Sequence, residues 1–219
     1  MNPQNRHDPY GAVHKGLRAA HMRCLVMIGA TDPNRDSAIE HLVRDLTDHL
    51  AMCQTHLDDE ETFLHAALET RRPGASRHAS EDHDAHERSF EDLSALLARL
   101  SSCAPSARND VLSDLYRRFC RFVADDLLHM DHEEQVLLPD LQETFSDLEL
   151  HEIEARIVAA IPLDRMVLFL DAMLDGLPAP ISTAMLDAMR AGMPGDAFTS
   201  LMRDVTQRRA LRASLASAA

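Results

Sequence analysis

Asp125-Asp126-Leu127-Leu128-His129-Met130-Asp131-His132-Glu133-Glu134-Gln135-Val136-Leu137-Leu138-Pro139 sets an imidazole and a carboxylate four residues apart, at His129 and Glu133. On an α-helix this spacing leaves them about 40° apart on one face and about 6 Å apart along the axis. Leu115, Phe119 and Phe122 upstream and Leu137 downstream recur on that face, which makes it an interior stripe. An imidazole and a carboxylate pointing into a core need partners, and a metal ion satisfies both at once.

The pattern recurs upstream, in His49 through Leu64. His56 and Glu60 are again four apart, on a face that runs Leu42, Leu46, His49, Cys53, His56, Glu60, Phe63. Both stretches read His-x-x-x-Glu-Glu followed by apolar residues. Spacing alone is weak evidence, because six of the thirteen histidines have an acid four residues on. His56 and His129 differ from the others in lying within an apolar stripe and in their repeated context.

A chain of 219 residues is long enough for one domain with an appendage or for two small domains. Its formal charge of −14 argues against nucleic acid and against anionic membrane surfaces, both of which call for basic patches. The first residues carry no apolar leader, and no apolar run approaches the roughly eighteen residues of a membrane span, so a cytoplasmic protein is expected. Cys24, Cys53, Cys103 and Cys120 are widely spaced and read as small buried residues rather than as a disulfide framework or a zinc knuckle.

Every periodic stretch is helical, which gives an all-α fold class. Asp8-Pro9-Tyr10 has the form of a helix start, with Asp8 as N-cap, and the stripe that follows is Tyr10, His14, Leu17, His21, Leu25, Ile28. Further helices are expected from about 36 to 71, 76 to 100 and 107 to 143, separated by Pro73-Gly74 and by a turn containing Pro105. Short turns favour an up-down-up-down four-helix bundle over residues 1–145. A capping box at Ser146 and Glu149 then opens four short helices in an extension, residues 146–219, expected to pack on the bundle or on a partner subunit, with a frayed tail from 212.

In such a bundle, His14 early in the first helix, His56 and Glu60 late in the second, His83 early in the third, and His129 and Glu133 late in the fourth all fall at one level. Four imidazoles and two carboxylates suit two metal ions a few ångströms apart. Nitrogen and oxygen donors without thiolate favour iron or manganese over zinc. His86 is a further candidate ligand. Seven residues from His14 and from His56, His21 and His49 each move about 10 Å in the same direction along antiparallel helices and should meet, as a relay pair, an auxiliary site or a hydrogen-bonded core pair. Asp126 is a candidate to orient a ligand imidazole, and Tyr10 to line an entrance or pack in the core.

These pieces, Asp8 through Arg18, His56 through Glu61, Glu81-Asp82-His83 and His129 through Pro139, resemble the hemerythrin-like (HHE cation-binding) family over residues 8 to 145. The resemblance implies a cofactor of two iron ions with an oxo or hydroxo bridge, joined by the two glutamates, and a partner that is a small gas or oxidant: dioxygen, nitric oxide or peroxide. It also implies roles in oxidative or nitrosative stress or in iron-sulfur repair. The oxygen-carrying branch has a second histidine four residues from the first on helix three and an aspartate five residues after the helix-four histidine. Here Ala79 and Glu87 flank His83 at four residues, and Glu133 follows His129 at four. Binding or sensing is the first expectation. A di-iron oxidase or peroxidase-like enzyme and a metal-free helical interaction module are the alternatives.

Overall fold

The computed structural model describes the backbone of residues 6–216 and the side chains of residues 6–214. The chain is all-helical, with no strand among the described residues. Helix α1 is Gly11–Ala30, opened by Asp8, whose Oδ1 accepts from the Tyr10 and Gly11 backbone N–H groups at 3.0 and 2.9 Å. Helix α2 covers 36–71, α3 is Arg77–Ser102, and α4 covers 108–144 after one 3₁₀ turn, Pro105–Ala107. Then follow α5 (Asp147–Ala160), α6 (Leu163–Gly176), α7 (Ala179–Gly192) and α8 (Gly195–Ala216). The capping box at Ser146 is formed, with Ser146 and Glu149 satisfying one another's backbone N–H groups.

Two of these helices are interrupted in the same way. A π-helical turn occupies Glu60–His65 in α2 and Glu133–Leu137 in α4, each beginning at the glutamate of the repeated motif. One extra residue in a turn rotates everything downstream by about 100° relative to a regular helix. Phe63, which regular spacing puts on the buried face, is therefore only partly buried, and Leu64, His65 and Leu68 take that face. In α4 the same shift leaves Val136 44% exposed and Leu137 fully buried.

Helices α1 to α4 pack in a cycle, α1 on α2, α2 on α3, α3 on α4, and α4 on α1. Two apolar clusters result. The larger holds Leu42, Leu46, Leu93, Leu115, Phe119 and Phe122, and the smaller Tyr10, Leu64, Leu68, Ala79, Leu137 and Leu141. Along each of the four helices the candidate ligands lie between the two clusters.

Helix α6 packs on α1 and α2 and contributes Leu168, Phe169 and Ala172 to the larger cluster. It approaches α1 closely where both helices carry glycine. A Cβ on Gly176 would collide with the Lys15 carbonyl, and one on Gly16 would stand 2.9 Å from the Met173 nitrogen. Asp171 of α6, 1% exposed, is ion-paired with Arg209 at 3.0 Å and with Arg212, and Arg23 and Arg208 lie within 3.8 Å. These pairs fix α8 against α6. Arg212 thus belongs to the packed structure and not to a frayed tail, and residues 217–219 lie outside the described residues.

Candidate metal centre

Six buried side chains from four helices converge in the layer between the apolar clusters. Their atoms form two overlapping sets that could hold a metal ion: His14, His56, Glu60 and Glu133, and Glu60, His83, His129 and Glu133. Both glutamates are common to the two sets. His56 Nε2 is 3.1 Å and His14 Nε2 3.5 Å from Glu60 Oε1, and His83 Nε2 is 3.5 Å from Glu60 Oε2. On the other carboxylate, His14 Nε2 and His129 Nε2 lie 3.3 and 3.5 Å from Glu133 Oε2. His83 Nε2 and His129 Nε2 are 3.0 Å apart.

These separations match the distances between neighbouring ligand atoms around one ion, which are about 3 Å when each metal–ligand bond is about 2.1 Å. Both oxygens of Glu60 and of Glu133, with the Nε2 atoms of His14, His56 and His65, are buried without a hydrogen-bond partner. Unpaired buried polar atoms are costly, and here they face one another. The donor set fits a metal.

The outer nitrogens are held by a second ring of carboxylates. His14 Nδ1 donates to Glu134 Oε1 at 2.9 Å, and Arg18 fixes the same oxygen at 2.6 Å. His83 Nδ1 and His65 Nδ1 approach Glu61 Oε1 at 2.9 and 3.2 Å. His129 Nδ1 lies 3.4 Å from Asp82 Oδ2. Each contact places the proton on Nδ1 and turns the Nε2 lone pair inward. The motif His-x-x-x-Glu-Glu thereby divides its labour: the first glutamate faces the centre, and the second orients an imidazole on a neighbouring helix.

His65, Glu61, Glu134 and Asp82 are not among the candidate site residues read from the sequence, although the last three lie in the stretches that carry the resemblance. His65 Nε2 reaches Glu133 Oε1 at 3.6 Å, and its ring stacks on His83 with centroids 5.1 Å apart. Regular spacing puts His65 about 140° from Glu60, and only the widened turn brings it round.

Other candidates take different places. His86 belongs to neither set; its Nδ1 is 3.5 Å from Asp126 Oδ1 and its ring is edge-on to His129. Asp126 contacts no residue of the two sets by hydrogen bond and instead accepts from His21 Nε2 at 2.6 Å. His21 Nδ1 and His49 Nε2 meet at 2.9 Å beside Phe119 and Phe122. Tyr10 is fully buried beside His14, with its hydroxyl unpaired. Cys24 and Cys53 are buried and Cys103 and Cys120 partly so, all four as free thiols.

Electrostatics follow from this crowding. Burial and the neighbouring Glu133 both oppose ionisation of Glu60, yet His56, His14 and His83 outweigh them and hold its pKa at about 2. Glu133 is likewise held well below the usual range, against burial, by His14, His65 and His129. Burial alone would lower the pKa of His65, but Glu133 and Glu61 raise it to about 10, and His14 is raised well above its ordinary value in the same way. Burial dominates at His56 and lowers its pKa. Without an ion, the raised His14 and His65 hold protons close to the carboxylates, and a bound cation would compete with those protons.

Comparison with known protein families, with curated proteins and with solved structures gave no match to this chain. Among the described residues, no helix is long and apolar enough to cross a membrane.

Proposed function

We propose that residues 1–145 form a hemerythrin-like di-metal domain that binds or senses a small oxidant or gas, with residues 146–219 as a helical extension packed upon it. The observation that carries this reading is the pair of four-residue sets sharing Glu60 and Glu133. Two ions a few ångströms apart, each with histidines of its own and with Glu60 and Glu133 within reach of both, would account for that sharing. An up-down-up-down order of α1 to α4 is supported by the clusters: α1 and α3 run from the smaller to the larger, and α2 and α4 run back.

Iron suits the imidazole and carboxylate donors best, with manganese or zinc less favoured. When bound, a pair of iron ions supplies reversible one-electron chemistry and positions for a diatomic gas or peroxide. The protein's own contribution is arrangement. Glu61, Glu134 and Asp82 hold the imidazoles in one tautomer, and Leu57, Met130, Leu64 and Leu137 close the layer above and below against water. Tyr10, kept as a neutral phenol by burial and by Glu133 and Glu60, offers an O–H to the interior.

The test is elemental analysis of the purified protein with absorption spectra of the reduced form before and after air is admitted. About two irons per chain, and visible bands that appear on oxidation and vanish in a His56→Ala/His129→Ala double variant, are expected. A folded protein that stays colourless and metal-free after anaerobic iron loading would overturn the proposal.

A further inference from the structure

One helical layer away from the centre, a second group of buried donors is built differently. His21 of α1 and His49 and Cys53 of α2 bring ligand atoms within 4.8 Å of one another, and all three side chains are buried. His49 and Cys53 are one turn apart on the same face. The His49 Nε2 to Cys53 Sγ distance is 3.7 Å, close to the roughly 3.5 Å between nitrogen and sulfur ligands of a tetrahedral ion with bonds of about 2.0 and 2.3 Å. His21 Nδ1 and His49 Nε2, 2.9 Å apart, need to part by only about 0.4 Å to meet the same geometry.

The surroundings prepare the group. Asp126 Oδ2 accepts from His21 Nε2 at 2.6 Å, which leaves the His21 Nδ1 lone pair turned toward His49 and Cys53. A carboxylate behind an imidazole is the usual support of a metal-ligating histidine. Burial drives the His49 pKa well below the ordinary value, so its imidazole is neutral and able to donate. Access is also present. A cleft of about 960 Å³ between α1, α2, α6 and α8 is lined by His49 itself, with the acids Asp45, Asp48 and Asp171 and arginines from α1, α8 and the N-cap of α2 on its walls. An ion can therefore reach His49 without crossing the His/Glu layer, which begins at His56, about 10 Å further along α2.

We propose that His21, His49 and Cys53 form a second metal site, for a thiophilic d¹⁰ cation, Zn²⁺ or Cu⁺, distinct from the His/Glu centre. Two imidazoles and one thiolate match the preferences of both ions and suit neither magnesium nor calcium. Binding displaces the Cys53 proton, so that the ligand is the thiolate. The proposal is independent of what occupies the His/Glu centre.

Sulfur separates the two sites, because the His/Glu centre has no thiolate. Reduced, metal-free protein is titrated with Cd²⁺, as a spectroscopic substitute for Zn²⁺, and separately with Cu⁺. A thiolate-to-metal charge-transfer band is expected with at least one ion, and the ion that gives it names the class. The band should persist in a Cys103→Ser/Cys120→Ser variant and in His56→Ala/His129→Ala, and disappear in Cys53→Ser and His49→Gln. Absence of a sulfur band with both ions, or its survival in Cys53→Ser, overturns the proposal. Should Cys53→Ser fail to fold, X-ray absorption of the wild-type protein saturated with Zn²⁺ decides: a sulfur neighbour at about 2.3 Å is expected, and nitrogen and oxygen neighbours alone refute the site.

Discussion

Glu60 and Glu133 each occupy the first position of a widened helical turn, on α2 and α4, and His14 Nε2 stands between them, 3.5 Å from one carboxylate and 3.3 Å from the other. The matching turns give the two ligand helices the same local geometry. They also let the residue after each glutamate, Glu61 and Glu134, reach around to an imidazole on another helix.

Glu134→Gln tests that outer role. The substituted amide keeps the shape of the side chain but not the charge that fixes the His14 tautomer. Loss of such a partner weakens metal binding about 10- to 100-fold. Competition against a chelator of known affinity measures this, with metal content at saturation unchanged. Unaltered affinity would remove Glu134 from the site.

Deletion of Thr62, an exposed residue inside the first widened turn, should be tolerated. The turn can revert to a regular one, leaving Leu64 and Leu68 in their buried register. Helicity by circular dichroism should be retained, and metal affinity should drop as Glu60 and Glu61 shift. Deletion of Gln54, in the regular part of α2, rotates the whole downstream half by about 100° and should prevent folding. Equal behaviour of the two deletions would contradict the role of the turn.

Stability of the metal-free protein should depend on pH at both ends. Glu60, Glu61 and Glu134 are each depressed to about 2, so their contribution is present above about pH 4.5 and is lost as pH falls toward 2. His65 is raised to about 10, so its contribution is complete below about pH 6.5 and is lost as pH rises through 10. Metal loading works against protons held in the layer: apparent affinity should rise with pH up to about 10, with proton release on binding. Urea titrations and calorimetry in buffers of different ionisation enthalpy measure the two effects.

Gly176→Ala should destabilise the protein by about 1–3 kcal/mol, because the new methyl meets the backbone of Lys15 and Gly16 and not a flexible side chain. Chemical denaturation reads the loss. Gly192→Ala, with nothing within 4 Å of the added Cβ, serves as the neutral control.

Sequence by itself determined the helical class, the breaks between helices and the capping box at Ser146, because these depend on periodicity, proline, glycine and local hydrogen bonds within a few residues. It also singled out His14, His56, Glu60, His83, His129 and Glu133, since polar residues that interrupt an apolar stripe are visible as exceptions to it. The meeting of His21 with His49 followed from helix direction and rise alone. What only the tertiary structure decided depends on departures from that regularity. The widened turns change the phase of two helices by one residue, and nothing in the spacing of Phe63, Leu64 and His65 announces it. Hence His65 joined the layer and Phe63 left it. Glu61 and Glu134 look like solvated helix-surface acids until the neighbouring helices bring His83 and His14 within hydrogen-bonding reach, and Asp126 found its partner on α1 and not in the layer it was expected to serve. A chain records the period of each helix; the partner of a buried polar atom is set by the helix packed against it.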